Sequence, residues 1–321
     1  MARLLKSLPF FVVLLMVAAG ATLIPAVYGA VVRDFDSSRV FFYSGILIAI
    51  AAAMIGLASH SATRRTSERR YLVVLLLSYL WMPAVLTIPM IEVVSNTRWI
   101  NVYFDMVSAM TTTGAPVFEP ARLPDTVHLW RATVAWLGGL LIWITALAVL
   151  QPLNLGGFEV SSEATVTGRI DTGPVQMRAA IPADRLVRQA GVLTPIYVTL
   201  TLVLAAGLAL AGERPLHAMI HAMSTLSTSG ISATGGLKDS GAGVTGEVVI
   251  FAFFVFALTR RSFAGGLGLD AARRVARDRE VRIALAAVIV LPTLLFMRHW
   301  VGALEVDDLA NAGGALSALW G

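Results

Sequence analysis

The chain has 321 residues, of which 57% are apolar and only 14% charged, with a formal net charge of +5. Mean hydropathy is +0.75. Soluble domains carry roughly 25% charged residues, so this composition excludes an ordinary soluble domain and indicates an integral membrane protein. Cysteine is absent, which excludes a disulfide framework, a thiolate nucleophile and a Cys-ligated metal.

A bilayer-spanning helix needs roughly 20 apolar residues. Runs of about that length cover residues 9–32, 40–59, 71–94, 130–150, 191–211, 248–268 and 283–300, giving about seven expected spans. The first run comes after Arg3 and Lys6 and superficially resembles a signal peptide. It is longer than a typical signal core and lacks a clean cleavage site, so a retained helix is expected. With the N-terminus inside, the inner segments hold 17 of the 25 basic residues, and the positive-inside rule therefore places the N-terminus in the cytoplasm. The net positive charge is a topology signal of this kind; the sequence shows no nucleic-acid patch.

The first two spans are joined by a short polar link and form a helical hairpin. Beyond them the chain carries an internal repeat. Ser108-Ala109-Met110-Thr111-Thr112-Thr113-Gly114 recurs 116 residues later as Ser224-Thr225-Leu226-Ser227-Thr228-Ser229-Gly230. Each copy lies between two long apolar runs, after a stretch too short to cross, and each enters from the outside in the N-in arrangement. Pro83 and Pro89 are expected to kink the span before the first copy. Non-helical backbone is tolerated at membrane depth only where it is buried in protein or faces water. A Thr-Thr-Thr-Gly turn offers successive carbonyls that can replace the water around a dehydrated cation, with hydroxyls as extra ligands. Gly114 and Gly230 permit backbone angles that other residues resist. The C-terminal end of each short helix directs the negative end of its dipole toward the loop, which favours a cation.

Other residues have structural readings. Asp105, on the first short helix, reads as a residue that bonds to backbone at the loop rather than one that adds negative potential near the pore, and its counterpart in the second copy is His221. Glu92 is expected to be solvated or paired at a span end. Arg131, at the start of its apolar run, is expected to anchor that span at the interface. His60, His128 and His299 are read as interfacial in the same way, and Arg260 and Arg261 as inner topology anchors. His217 and His221 share a helical face, but with no acidic or third histidine ligand placed nearby a metal site is not expected. Gly138-Gly139 and Gly265-Gly266 suit close helix packing. No convergent acid, base, nucleophile or metal cluster points to an enzyme, and no motif points to a bound cofactor.

Residues 104–114, Trp130-Arg131, 136–140, Leu155-Gly156-Gly157 and 221–230 together resemble the Trk/Ktr/HKT superfamily of cation transporters, most closely its bacterial Trk-type potassium uptake branch. The resemblance runs from about residue 71 to the end of the chain, and the first two spans match that branch's extra N-terminal pair. It implies four helix–pore loop–helix units around a pseudo-fourfold pore, each supplying one filter strand centred on a glycine. Thr111, Thr112, Thr113 and Gly114 would be the first strand, and Ser227, Thr228, Ser229 and Gly230 the second. It further implies a homodimer in the plasma membrane and a cytosolic nucleotide-binding regulatory subunit docked on the basic inner loops.

The expected fold is thus an all-α integral membrane protein with an N-terminal hairpin (1–70), a first helix–pore loop–helix unit (71–158) and a cytoplasmic connector (159–189). A second unit (190–272) and a third begun in 273–321 and cut before its filter would complete it. The expected function is transport of a monovalent cation, K+ with Na+ as the alternative. Two strands cannot close a four-sided filter, so the competing expectation is a membrane scaffold that keeps the fold without a closed pore.

Overall fold

The computed structural model describes residues 10–59, 68–150, 182–236 and 241–258, with isolated positions between 283 and 297. Among the described residues the regular structure is entirely helical. Residues 159–181 of the expected connector, the inner arginines 260 and 261, Gly265-Gly266, His60, His299 and residues 301–321 lie outside them, while the last part of the connector, 182–189, is the start of a helix. The chain divides into two units, Met1–Phe254 and Val255–Gly321; the second contributes isolated helical positions from 283 to 297.

Five helices among the described residues are long and apolar enough to cross a membrane: Phe10–Val31, Phe35–Ala58, Val73–Val93, Asp125–Ala148 and Arg185–Leu210. They account for the first five expected spans. The sixth is represented by a shorter apolar helix over Gly243–Phe254, and most of the seventh lies outside the described residues.

The first span is two segments, α1 (Phe10–Ala21) and α2 (Leu23–Val31). The break falls at Thr22, whose hydroxyl donates to the Ala19 carbonyl at 2.8 Å. A side chain on Gly45 would overlap that hydroxyl, so α3 (Phe35–Ala58) passes close to the break. α3 begins five residues before its apolar run because the Asp34 carboxylate accepts the Ser37 N–H and caps it.

α4 (Glu68–Val93) carries Pro83 and Pro89 in its interior. Next come α5 (Trp99–Met110), a 3-10 turn at Pro120–Arg122 and α6 (Asp125–Thr145), which ends in a π turn at Ala146–Leu150. α7 (Pro182–Leu210), α8 (Pro215–Ser227) and α9 (Gly243–Leu258) complete the series.

Side-chain distribution is that of a protein dissolved in lipid. Val31, Leu57, Leu76 and Leu210 are all more than 70% exposed, whereas Thr87, Thr133, Thr145, Thr201 and Thr225 are buried. Each of these threonines donates its hydroxyl to the carbonyl four residues earlier. Lipid offers no hydrophobic drive to bring helices together, so small residues and satisfied polar groups carry the packing. Trp130 lies fully buried against Phe41 of the hairpin, with ring centroids 5.6 Å apart. Its indole N–H donates to the Leu86 carbonyl of the proline-containing α4 at 3.2 Å.

Two matched loops at the ends of short helices

α5 has 12 residues and α8 has 13. At 1.5 Å per residue each is roughly 20 Å long, short of the ~30 Å hydrocarbon core. They begin at the same register, Trp99 and Pro215, each preceded by an arginine with extended backbone. Both then end in the same way. In the first copy the Thr113 N–H donates to the Ser108 carbonyl (2.9 Å) and the Thr112 N–H to that of Ala109 (2.9 Å). In the second, Ser229 donates to Ser224 (2.9 Å) and Thr228 to Thr225 (3.1 Å). This pair of bonds closes a helix through one left-handed residue, a place glycine usually takes. Here it is Thr112, at φ +56°, and Thr228, at φ +55°. A β-branched residue is unfavourable in that conformation, so each turn holds strain on the order of 1–3 kcal/mol. Two residues on, Gly114 and Gly230 both stand at φ +68°.

The hydroxyls brace the turn. Thr111 Oγ1 donates to the Val107 carbonyl at 2.8 Å and pairs with Thr113 Oγ1 at 2.9 Å. Ser227 Oγ does the same with Met223 (2.8 Å) and Ser229 Oγ (3.0 Å). The serine-for-threonine replacements thus fall on the two positions whose hydroxyls bond to each other, and the retained threonine is the left-handed one. These four hydroxyls, read from sequence as extra ligands, are committed to the loop itself.

The two loops meet. A Cβ on Gly114 would overlap the Ser229 carbonyl oxygen, so that carbonyl faces the first loop. α6 supports both from one side. A Cβ on Gly138 would overlap the Met110 carbonyl. One on Gly139 would lie 3.0 Å from Ser227 Cβ and 2.9 Å from Tyr197 Oη. The expectation of close packing at Gly138-Gly139 therefore has a specific object, the C-terminal ends of both short helices. Tyr197 Oη, buried at this junction, has no hydrogen-bond partner among the described residues. The loops differ in exposure: Thr111 and Thr113 are exposed, whereas Ser227 and Ser229 are buried.

Three expectations for neighbouring residues are corrected. Arg131 is not an interfacial anchor. It is 4% exposed and forms a two-pronged ion pair with the fully buried Asp105, Nε to Oδ2 at 2.8 Å and Nη2 to Oδ1 at 3.0 Å. α6 begins at Asp125 rather than at the apolar onset near residue 130, which carries Arg131 inside. His128 is 2% exposed for the same reason, with Nε2 bonded to the Pro120 carbonyl at 3.0 Å. Around His217 and His221 an acid does lie close: Glu213 Oε1 is 3.5 Å from His217 Nδ1, and Glu213 Oε2 accepts the Ala242 N–H. Glu92 is exposed, as expected of a solvated residue, and lines a groove with Asp36 and Arg39.

Comparison with known proteins finds relatives of the chain. No family model matches the chain. It is 25% identical over 241 residues to the Trk system potassium uptake protein TrkI of Halomonas elongata, covering 72% of this chain and 46% of that protein. It is 33% identical over 138 residues to TrkH of Vibrio parahaemolyticus, covering 43% and 27%. The chain is a homologue of the Trk-type potassium uptake proteins. The chain spans less than half the length of the curated relatives it matches. Its fold matches the crystal structure of the potassium transporter TrkH from Vibrio parahaemolyticus with a TM-score of 0.71 at 23% identity, over 98% of this chain and 62% of the other.

Proposed function

We propose that the chain contributes two sides of a monovalent-cation path, with K+ as the principal ion, and that backbone carbonyls of Thr111, Thr112, Thr113, Gly114, Ser227, Thr228, Ser229 and Gly230 take the place of part of the ion's water. The observation that carries this reading is the matched backbone of the two loops. Left-handed residues stand at the second and fourth positions of both, and the loops touch at Gly114 and Ser229. Four of the six hydroxyls are committed to bracing, which leaves the carbonyls as the main available oxygens, and a carbonyl site tolerates serine for threonine. The names of the Trk-type relatives, which describe potassium uptake, supply the ion.

The drive would be the membrane potential, about 2.3 kcal/mol per charge per 100 mV. The asymmetry of basic residues supports an N-terminus in the cytoplasm of a plasma membrane. Closing a ring around the ion takes further strands, from a second copy of this chain or from additional polypeptide. Homodimerisation and a cytosolic nucleotide-binding regulatory protein on the basic inner loops belong to the same reading.

The test is rubidium uptake into proteoliposomes under a potassium-diffusion potential. Uptake by the wild type, lost in a folded Gly114→Asp variant, supports it. Absence of uptake from a preparation holding a complete set of four strands defeats it and favours a scaffold that keeps the fold without conducting.

A further inference from the structure

Asp105 joins three pieces of the first unit. It lies on α5, its carboxylate receives both prongs of Arg131 from α6 and faces the backbone N–H of Val117, and one turn on the Ser108 hydroxyl of the same helix donates to the Ala115 carbonyl of the outgoing limb at 3.1 Å. Val117 is three residues past Gly114, on the limb that leaves the first loop. In the second unit the residue at the same register is His221. Its Nε2 meets Ser232 Oγ at 3.4 Å, two residues past Gly230, and Ser232 Oγ in turn accepts the N–H groups of Thr234 and Gly236. One position of the short helix thus reaches the outgoing limb in both units, through different chemistry.

We propose that Asp105 and Arg131 are positioning residues for the first loop, clamping its outgoing limb and so setting how sharply that loop discriminates between monovalent cations. The proposal rests on the transport reading. A site made of main-chain oxygens discriminates through the number and placement of its carbonyls. No residue of the first loop is buried, whereas Ser227 and Ser229 of the second are, so the first loop leans more on a tether beyond its own packing. An arginine–carboxylate fork fixes two atoms at once, which a lysine or an amide does not reproduce.

The chain has no native cysteine, so Pro116→Cys supplies a single reporter on the limb. In lipid nanodiscs, Asp105→Asn is expected to speed maleimide labelling of that reporter by about tenfold, the factor for losing one charge-assisted hydrogen bond. The charge-swapped pair Asp105→Arg/Arg131→Asp is expected to recover part of the protection. Arg131→Lys, which keeps the charge without the fork, serves where Asp105→Asn fails to fold. In proteoliposomes the same variants are expected to lose rubidium-over-sodium preference while still passing ions. Unchanged labelling overturns the clamp. Faster labelling with an unchanged ion preference overturns its role in discrimination. A wild type that passes no ion counts against the transport reading instead, and the labelling rates still decide the clamp.

Discussion

Gly114 and the Ser229 carbonyl occupy adjoining space, so that a single methyl group on the glycine would coincide with the oxygen. Gly230 has the same φ of +68°, yet a Cβ there meets nothing within 4 Å. The two glycines are therefore equivalent in conformation and different in surroundings. Gly230→Ala is expected to cost about 1–2 kcal/mol, the penalty for a left-handed alanine. Gly114→Ala is expected to add an overpacking cost of about 1–3 kcal/mol and to push the loops apart. Thermal unfolding of both variants in one detergent checks the order, and equal losses would contradict the contact.

The left-handed threonines give a prediction of opposite sign. Thr112→Gly and Thr228→Gly are each expected to raise stability by about 1 kcal/mol, since glycine holds that conformation without a Cβ penalty. Under the transport reading they are also expected to blunt ion preference, because a freer turn holds its carbonyls less firmly. Unfolding midpoints and a rubidium–sodium competition read the two effects separately.

Hydroxyl bracing is testable by exchange between the copies. Thr111→Ser with Thr113→Ser recreates the serine pair of the second loop and is expected to change stability by less than about 0.5 kcal/mol. Thr111→Val removes the bonds to Val107 and Thr113 and is expected to cost about 1 kcal/mol. If valine proves as harmless as serine, the hydroxyl pair does not hold the turn.

The buried ion pair has its own signature. Arg131→Met leaves the Asp105 carboxylate buried without its partner and is expected to cost about 3–5 kcal/mol. Arg131→Met with Asp105→Leu removes both charges and is expected to recover most of that loss. A double-mutant cycle measured by unfolding gives the coupling. A double variant no better than the single would contradict the pairing.

The loops were legible in sequence because their backbone demands a residue type. Glycine at the fourth position and hydroxyls at the first three recur at a fixed spacing, and the short helices before them share a starting register. Spans were legible wherever length and hydropathy suffice, which covers the five membrane-length helices. Arg131 and His128 were misplaced because a hydropathy run locates where apolar residues begin. It does not locate where a helix begins: residues 125–129 include Asp125, Thr126 and His128, yet they form the first turn and more of α6. The Asp105–Arg131 pair joins residues 26 apart in sequence; an acid and a base both within membrane-depth segments was the available signal, and only packing pairs them. Glu213 was overlooked beside His217 because the acid lies before the start of α8, outside the helical face that relates the two histidines.

Gly138 and Gly139 set the ends of both short helices against one bare stretch of α6. With no side chain between them to absorb displacement, a slide or twist of that rod is communicated to both turns together. Neither turn can be displaced alone, and whatever pulls on the far end of α6 has a single lever on both.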